Sequence, residues 1–367
     1  MTVAGTISFA RGAPSLDIVD VDGLRESAER AFRDDPGGVT AYGTAIGYPP
    51  LREWIAERHG VEPERVLVTN GSMQADAFLF EALVQRGDAV IVERPTYDRT
   101  LLNLRNRGAD VHAVDLHTDG IDTDALAALL EGGVAPTLAH VIPNFQNPAG
   151  FTLAREKRDR LLELAEAHGF TIFEDDPYVE IRFAGETLST MLDLDGGAGR
   201  VVYASSFSKT VCQGIRVGYL VGASELIDDI RKLATNTYIS PSMVSQAIVN
   251  EFCRSGAIQR SIETVKTALR ARAERLGAAL ERELPDARFT LPQGGYFMWV
   301  ELPDGTDVAA LFEAAAERGV AFVKGTDFML EGGENTLRLA YSGVTPDEVD
   351  EGVSRLAEAY RTVAVAA

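Results

Sequence analysis

The segment spanning residues 205–219 contains the residue types that a reactive amine would need. It follows an apolar, β-branched run at residues 201–203 that predicts a buried strand, so Lys209 would lie just beyond the end of that strand. A free lysine at pH 7 is neutral in only about one molecule in 10³, and a nearby cation or burial must lower its pKa before it becomes a nucleophile. Arg216 is the candidate for that cation.

Hydroxyl and guanidinium groups in the same segment suit a phosphate. Ser206, Ser208 and Arg216 can all donate hydrogen bonds to a phosphate dianion. An amine beside such a site suggests a phosphorylated aldehyde held on Lys209 as a Schiff base. The ordinary alternative is a solvated lysine in a serine-rich loop, which composition alone favours. Motifs elsewhere in the chain are needed to choose between the two interpretations.

The composition is that of an acidic globular protein. The chain has 367 residues, of which 46% are hydrophobic and 25% charged, and this predicts a folded protein with two lobes. With 35 basic and 55 acidic residues the formal charge is −20, which disfavours nucleic acid and anionic membrane as partners. Two cysteines without a CxxC pair, no export signal and no apolar run of roughly 18 residues predict a cytoplasmic protein. Motifs for metal, nucleotide and serine-hydrolase sites are absent.

Short apolar runs alternate with helical stretches over the first two thirds of the chain. This alternation predicts a seven-stranded, mostly parallel sheet with helices on both faces. The predicted strands are residues 66–69, 89–92, 111–116, 139–142, 171–173, 201–203 and 217–221. A long helix predicted over residues 257–284 would connect this lobe to a smaller α+β lobe.

Polar residues follow several of these strands at the sheet edge where α/β proteins bind ligands. Ser72 would begin a helix whose free N–H groups suit a phosphate, Tyr97 could stack on a flat ring, and Asn147 and the acidic run 174–176 follow later strands. Each feature also has an ordinary interpretation as a helix cap, a core or rim aromatic, a turn or a solvated loop. Their occurrence together at one edge favours a ligand site.

The order of motifs resembles that of the class I/II pyridoxal-phosphate-dependent aminotransferases of fold type I, especially the aminoadipate and kynurenine aminotransferase branch. The resemblance covers nearly the whole chain through the segments YGTAIGYPPLR, VTNGSMQA, ERPTYDRTL, PNFQNPAGFTL, EDDPYVEIRF, SSFSKTVCQGIRVGYLVG, PQGGYFMWVEL and NTLRLAYS. It implies an α/β fold with three parts. These are an N-terminal arm at 1–40 packed against the small domain and active site, a large pyridoxal-phosphate-binding domain at 41–260, and a small α+β domain at 261–367.

The resemblance also implies a role for individual residues around pyridoxal 5'-phosphate. Lys209 would form the Schiff base, Asp175 would pair with the protonated pyridine nitrogen, and Tyr97 would stack on the ring. Asn147 and Tyr178 would bind the ring hydroxyl. The implied phosphate-binding residues are Ser72, Met73 through its backbone N–H, Ser206, Ser208 and Arg216.

Substrate and partner contacts follow from the same resemblance. Arg338, which alone would be expected at the surface, would bind the substrate α-carboxylate, with Asn147, Gly12 and Arg11 nearby. Arg11 could bind a substrate carboxylate, although solvent exposure is the usual state of an arginine. Tyr42 would reach the phosphate in a neighbouring subunit, which implies a homodimer with shared active sites.

The implied activity is transfer of an amino group between an L-amino acid and a 2-oxo acid by a ping-pong mechanism, with Lys209 as general base. A β-eliminating lyase, or another enzyme acting at Cα, stays open because the bond that breaks depends on substrate orientation. The non-enzyme alternative is the effector domain of a transcription regulator, which the negative charge and the absence of a preceding DNA-binding module disfavour. Arg11-Gly12 and Val19-Asp20 stand where related aminoadipate enzymes often carry Gly-Gly and Phe-Pro, so the preferred substrate stays open.

Overall fold

The computed structural model describes residues 5–366, which contain fourteen strands, thirteen α-helices and five short 3-10 helices. Residues 1–4 of the predicted arm and residue 367 of the predicted small domain lie outside the described residues. The strands are β1 (Ile7–Ser8), β2 (Val66–Thr69), β3 (Ala89–Arg94), β4 (Asp110–His117), β5 (Gly120–Ile121), β6 (Pro136–Val141), β7 (Thr171–Asp175), β8 (Val201–Ser206), β9 (Gly218–Val221), β10 (Arg288–Phe289), β11 (Phe297–Glu301), β12 (Val320–Ala321), β13 (Val323–Lys324) and β14 (Thr336–Ala340).

The helices lie between these strands in the chain, except for the last helix, which follows β14. They are α1 (Val21–Asp34), α2 (Pro36–Thr40), α3 (Pro49–His59), α4 (Ser72–Leu83), α5 (Asp98–Arg107), α6 (Thr123–Glu131), α7 (Arg155–His168), α8 (Met191–Leu194), α9 (Ser224–Tyr238), α10 (Met243–Arg254), α11 (Ala257–Glu283), α12 (Val308–Glu317) and α13 (Pro346–Ala366). Within the described residues, no helix has both the length and the apolar character needed to cross a membrane.

The large lobe is built on a sheet with the strand order β2-β9-β8-β7-β6-β3-β4-β5. Strands β3, β4, β6, β7 and β8 pair in parallel, whereas β9 is antiparallel to both of its neighbours. This confirms the predicted α/β class and the mostly parallel sheet. All seven predicted strands are present, and β5 is an eighth strand that is too short to produce a sequence pattern.

The inner strands are buried on both faces, which explains their continuous apolar sequences. Every residue of β2 and β8 is buried. The parallel direction brings the carboxyl ends of β7 and β8 to one edge, where Asp175 and Ser206 are the last strand residues. Lys209 follows β8 at this edge.

The smaller lobe contains a four-stranded antiparallel sheet with the order β10-β11-β14-β13. Helix α11 has the predicted length, and it joins the two lobes. Its Ala257, Ile258 and Ile262 pack in the core of the large lobe, whereas Val265 and Leu269 pack in that of the small lobe. The core against which α11 packs therefore changes between Ile262 and Val265, and the boundary at residue 260 stays a prediction.

The N-terminal arm packs against the small lobe and then reaches the sheet edge. Strand β1 pairs in parallel with β12, and the buried Phe9 accepts a hydrogen bond through its carbonyl from the backbone N–H of Ala340 at 2.7 Å. Beyond Phe9, the backbone carbonyls of Ala10 and Gly12 accept hydrogen bonds from Arg338 and Lys209. The arm therefore helps to position both of these side chains.

Candidate active site

A cavity of about 470 Å³ lies at the carboxyl edge of the large sheet, between that edge, the small lobe and the N-terminal arm. Most of the residues predicted from the sequence line it. They are Arg11, Gly12, Ser72, Met73, Tyr97, Asn147, Asp175, Tyr178, Lys209 and Arg338. Ser206, Ser208, Arg216 and Tyr42 do not line this cavity.

The amine of Lys209 is held inside the cavity by the arm and by two aromatic rings. Its Nζ donates a hydrogen bond to the Gly12 carbonyl at 3.1 Å and lies 5.4 Å from the ring centre of Tyr178 and 5.2 Å from that of Tyr296. Although the side chain is half-buried, its exposed atoms face the cavity, and this desolvation lowers the pKa of Lys209 to about 8.

The expectation that Arg216 lowers the pKa of Lys209 is only partly right. Burial is the largest cause of the lowered pKa, the charge of Arg338 is the next, and Arg216 adds a smaller effect. Asp175 acts in the opposite direction because its negative charge favours the ammonium form. The lowered pKa therefore depends mainly on closure of the cavity by both lobes.

Asp175 ends β7 with a carboxylate that is largely unsatisfied. Its Oδ2 lies 3.5 Å from Nε2 of the fully buried His140, and its buried Oδ1 has no hydrogen-bond partner among the described residues. A buried carboxylate oxygen without a donor is costly, and a protonated ring nitrogen of a ligand would satisfy it. The neighbouring acids Glu174 and Asp176 are also buried, so the alternative of a solvated acidic loop is wrong.

Arg338 is buried between aromatic rings, so the expectation of a surface arginine for this residue taken alone is wrong. It is only 6% exposed, and its guanidinium carbon lies 4.2 Å from the ring centre of Phe297 and 4.7 Å from that of Phe328. One terminal nitrogen donates to Asn147 Oδ1 at 2.8 Å and the other to the Ala10 carbonyl at 2.7 Å. These contacts fix the plane of the guanidinium group, while its buried Nε has no partner in the described structure.

The first turn of α4, with Ser206, Ser208 and Arg216 beside it, forms an anion-binding site next to the cavity that we call the phosphate corner. Helix α4 begins at Ser72 without a side-chain cap, so N–H groups of its first turn are available to a ligand. Next to it, Arg216 donates to Ser208 Oγ at 3.2 Å, and Ser206 Oγ accepts from the Ser208 N–H at 3.1 Å. Gly71 adopts a φ of +85°, and a Cβ there would lie 2.0 Å from an Arg216 nitrogen, so only glycine fits.

Two predicted residues lie at the outer side of this site. Arg11 is exposed at the mouth of the cavity, which agrees with the preference for solvent, whereas Gly12 packs closely on β11. A Cβ at Gly12 would lie 2.3 Å from the Phe297 ring, so the arm can approach only with glycine there. Tyr42 is 89% exposed and contributes nothing to the cavity of its own chain.

Comparisons with known proteins agree with this geometry. The family model "Aminotransferase class I and II" matches residues 5–356. The chain is 36% identical to a 2-aminoadipate transaminase of Thermus thermophilus over 97% of this chain and 90% of the relative. The chain belongs to the class I and II aminotransferase family.

Solved structures of this family have the same fold. An alpha-aminoadipate aminotransferase from Thermus thermophilus, complexed with N-(5'-phosphopyridoxyl)-L-leucine, matches with a TM-score of 0.95 and 34% identity, covering 100% of this chain and 95% of that chain. A kynurenine aminotransferase from Pyrococcus horikoshii matches with a TM-score of 0.94 and 31% identity, covering 98% of this chain and 92% of the other. The aminotransferase described here is thus a pyridoxal-phosphate-dependent enzyme of fold type I.

The cavity of this aminotransferase fits the cofactor on its own chemistry. The unpartnered Oδ1 of Asp175 suits a protonated pyridine nitrogen, the uncapped start of α4 suits a phosphate, and the amine of Lys209 suits an aldehyde. The three features occur around one space of suitable size.

Several cavity residues of the aminotransferase were not predicted from the sequence. They are Asp76, Asp98, Arg99, Phe297 and Phe328, together with His140 beneath Asp175. Asp76 could have been found, because a spacing of four residues places it on the same helix face as Ser72. His140 lies within an apolar strand and carries no such indication.

Proposed function

We propose that Lys209 holds pyridoxal phosphate and moves the proton at the substrate Cα during amino transfer. The observation that carries this assignment is a single cavity in which a lysine of lowered pKa, an unpartnered aspartate oxygen and a clamped arginine face one another. When bound, the cofactor supplies the electron sink for the bond that breaks at Cα. Lys209 is the candidate general base because a pKa of about 8 leaves an appreciable neutral fraction near neutral pH.

The remaining roles are assigned by the contacts each residue can make. Asp175 would accept from the pyridine nitrogen, Asn147 and Tyr178 would contact the ring hydroxyl, and Tyr97 would pack on the ring. The first turn of α4 at Ser72 and Met73, with Ser206, Ser208 and Arg216 beside it, would hold the phosphate.

Arg338 would bind the substrate α-carboxylate. Its guanidinium is held by Asn147 and Ala10, and although burial lowers the pKa of Arg338 to about 10, the group stays charged at neutral pH. A charged fork fixed in this way is suited to bidentate recognition of a carboxylate. Gly12 lets the arm close over this position, and Arg11 faces the mouth, where it would meet the far end of a substrate side chain.

The substrate test is a panel of amino acids and 2-oxo acids with the purified, cofactor-loaded protein. We expect conversion of an amino acid to its 2-oxo acid in a first half-reaction without acceptor, followed by amino transfer to a second 2-oxo acid. Glutamate, 2-aminoadipate, kynurenine and aromatic amino acids are the first donors to test, since similar proteins act on 2-aminoadipate and kynurenine. Release of ammonia and pyruvate from a cysteine-type substrate, without exchange, would instead show the lyase.

We further propose that the enzyme is a cytoplasmic homodimer in which Tyr42 completes the site of the partner. The supporting observations lie beside the phosphate corner. Tyr42 is 89% exposed and Ile239 is 59% exposed with a φ of +67°, which is strained for a β-branched residue. The loop after Ile239 contacts this corner, because the Ser242 N–H donates to Asn70 Oδ1 at 3.1 Å. Two free cysteines, Cys212 and Cys253, suit a reducing compartment.

Mixed dimers test the role of Tyr42. A chain with Lys209→Ala and a chain with Tyr42→Ala should each have low activity alone. If Tyr42 acts across the interface, the mixed dimer contains one complete site and regains activity, whereas mixing gives no recovery if Tyr42 acts within its own chain. Sedimentation of the unmodified protein checks the dimer independently.

A further inference from the structure

A second carboxyl group, that of Asp76, lies in the cavity and has no role in the assignments above. It stands on α4 one turn after Ser72, lines the same cavity as Asp175 and is only 3% exposed. One turn further along α4, Phe80 packs at 6.4 Å from His140 and at 5.8 Å from Phe173, between ring centres. The cavity-facing side of α4 thus carries Asp76 between the phosphate corner and the floor of the site.

The carboxyl of Asp76 is only partly satisfied by the protein. Its buried Oδ1 has no hydrogen-bond partner in the part of the chain that the structure describes. No salt bridge among the described residues involves Asp76, whereas Asp22 and Asp159 at the surface each pair with an arginine. A buried polar group that is aimed into a ligand cavity and left without a partner points to a partner on the ligand.

The charge state of this carboxyl follows from its surroundings. Burial is the main cause that raises the pKa of Asp76 well above its usual value, and the negative charge of Asp175 adds to the effect. Two buried carboxyls that line the same cavity do not both ionise readily. A charge on Asp76 would also oppose a phosphate dianion bound one helical turn away. Both arguments favour the neutral acid.

We propose that Asp76 is a second carboxyl of the cofactor site, which keeps its proton beside Asp175 and donates it in a hydrogen bond to bound pyridoxal phosphate. The inference rests on the proposed function because it takes this cavity as the cofactor site. Asp76 is a cofactor-binding residue in this account, and no proton is transferred to or from it.

Other titratable and charged groups face the same space, and a pH experiment has to allow for them. They are Arg11 on the arm, Asp175 on β7, Tyr97 before α5, Asp98 and Arg99 on α5, Tyr178 after β7, Lys209 after β8 and Arg338 on β14, with His140 on β6 behind Asp175. All of these groups are retained in variants of Asp76. A comparison of such variants with the unmodified protein at each pH therefore reports Asp76 together with its charge interaction with Asp175.

The first test compares Asp76→Asn with Asp76→Leu for affinity toward pyridoxal phosphate, measured by equilibrium dialysis against the cofactor-free proteins. Asparagine retains a neutral donor of the same shape, so binding should stay within about threefold of the unmodified protein. Leucine has no donor, so binding should weaken roughly tenfold or more. Equal affinity of the leucine variant would overturn the proposal, and so would an asparagine variant as weak as the leucine variant.

Glu93 offers a matched control with a buried carboxyl close to the same site. Its Oε2 accepts from Gln146 at 3.0 Å and from the Ile142 N–H at 3.2 Å, and it does not line the cavity. Glu93→Gln should therefore leave the affinity for the cofactor unchanged. A loss as large as that of Asp76→Leu would show that any change of a buried carboxyl disturbs binding, which would contradict a specific role for Asp76.

The second test needs no cofactor and applies even if the leucine variant does not fold. The folded protein keeps the proton of Asp76 at a pH where the unfolded chain has lost it, so the contribution of Asp76 to the stability of the cofactor-free protein falls as pH rises above about 4. Asp76→Asn removes this contribution. The difference between the two melting temperatures, variant minus unmodified, should grow from pH 4 to pH 7.

A difference that stays constant with pH would show that Asp76 is ionised in the fold and would contradict the proposal. Failure of the proposed function has a separate result, since the unmodified protein itself would then not bind pyridoxal phosphate. The stability measurement would still report whether Asp76 carries a proton.

Discussion

The two faces of the sheet at the end of β7 carry similar acidic residues in different surroundings, because Asp175 lines the cavity and Glu174 and Asp176 do not. On one face Glu174 accepts from the Met191 and Leu192 N–H groups at 2.8 and 2.9 Å, and Asp176 accepts from Asn144 Nδ2 at 2.8 Å. On the other face, Asp175 leaves Oδ1 without a partner in the described structure. Successive strand residues point to opposite faces, so three adjacent acids divide between these two environments.

A buried arginine supplies a positive charge to the face that carries Glu174 and Asp176. Arg158 donates to the carbonyls of Leu153 at 3.0 Å, Ser189 at 2.9 Å and Pro143 at 3.3 Å. We call Glu174, Asp176, Asn144 and Arg158 the structural cluster. Its groups mainly bind one another and the backbone. Asp175 and Asp76 instead line the cavity, and each has one oxygen without a partner among the described residues. Asp176 Oδ1 also has no partner among the described residues, but of these acids only Asp175 and Asp76 line the cavity, so access to the cavity, and not residue type or burial, separates the two roles.

The largest expected effect distinguishes the two faces directly. Asp175→Asn should reduce turnover by about 10²-fold or more, because a charge aimed at the cofactor ring is lost, while the melting temperature of the cofactor-free protein changes little. Glu174→Gln, the matched variant on the structural cluster, should show the reverse pattern, because one of the Met191 and Leu192 N–H groups loses its acceptor. Steady-state kinetics and thermal unfolding of both variants check this, and equal activity losses would remove the distinction.

A stability loss should follow from a change in the structural cluster. Arg158→Leu leaves three backbone carbonyls and two buried acids without their cation, so the free energy of unfolding should fall by about 3 kcal/mol. Turnover per cofactor-loaded molecule should be nearly unchanged, since Arg158 does not line the cavity. Denaturant unfolding measures the first quantity and active-site titration with kinetics measures the second. A stable variant with poor turnover would contradict both statements.

A smaller effect is expected from replacing Arg338, whose guanidinium is held by Asn147 and Ala10. Arg338→Gln should lower kcat/KM by roughly 10- to 100-fold, mainly through KM, because a charged bidentate contact to the substrate carboxylate is lost. Arg338→Lys tests geometry, since it keeps the charge without the fork. If both variants bind substrate normally, the carboxylate is held elsewhere.

The smallest effect is a shift in pH dependence. Only a neutral amine attacks an aldehyde, so the rate at which cofactor-free protein captures pyridoxal phosphate should rise with pH through about 8, the pKa of Lys209. Arg338→Gln removes a positive charge that lowers this pKa, so the midpoint should move upward. Stopped-flow absorbance measures the midpoint. A midpoint unchanged by the substitution would show that burial alone controls Lys209.

Much of the cofactor side was predictable because it depends on local sequence. β-branched runs predicted the inner strands, and the position of Lys209 after β8 and Asp175 at the end of β7 follows from strand direction. The contacts that hold the Arg338 guanidinium could not be predicted, because Ala10 and Asn147 are distant from Arg338 in the sequence. The different roles of Asp175 and of its neighbours Glu174 and Asp176 could not be predicted either, because the groups that bind Glu174 and Asp176 come from other parts of the chain.

The central claim is that Lys209 is the residue that binds the cofactor. The most direct measurement is the absorption spectrum of unmodified protein and of Lys209→Ala, each incubated with pyridoxal phosphate and then dialysed, with turnover measured on the same samples. The account predicts a retained visible band and turnover in the unmodified protein and the loss of both in the variant. A variant with an unchanged band and unchanged turnover would contradict it.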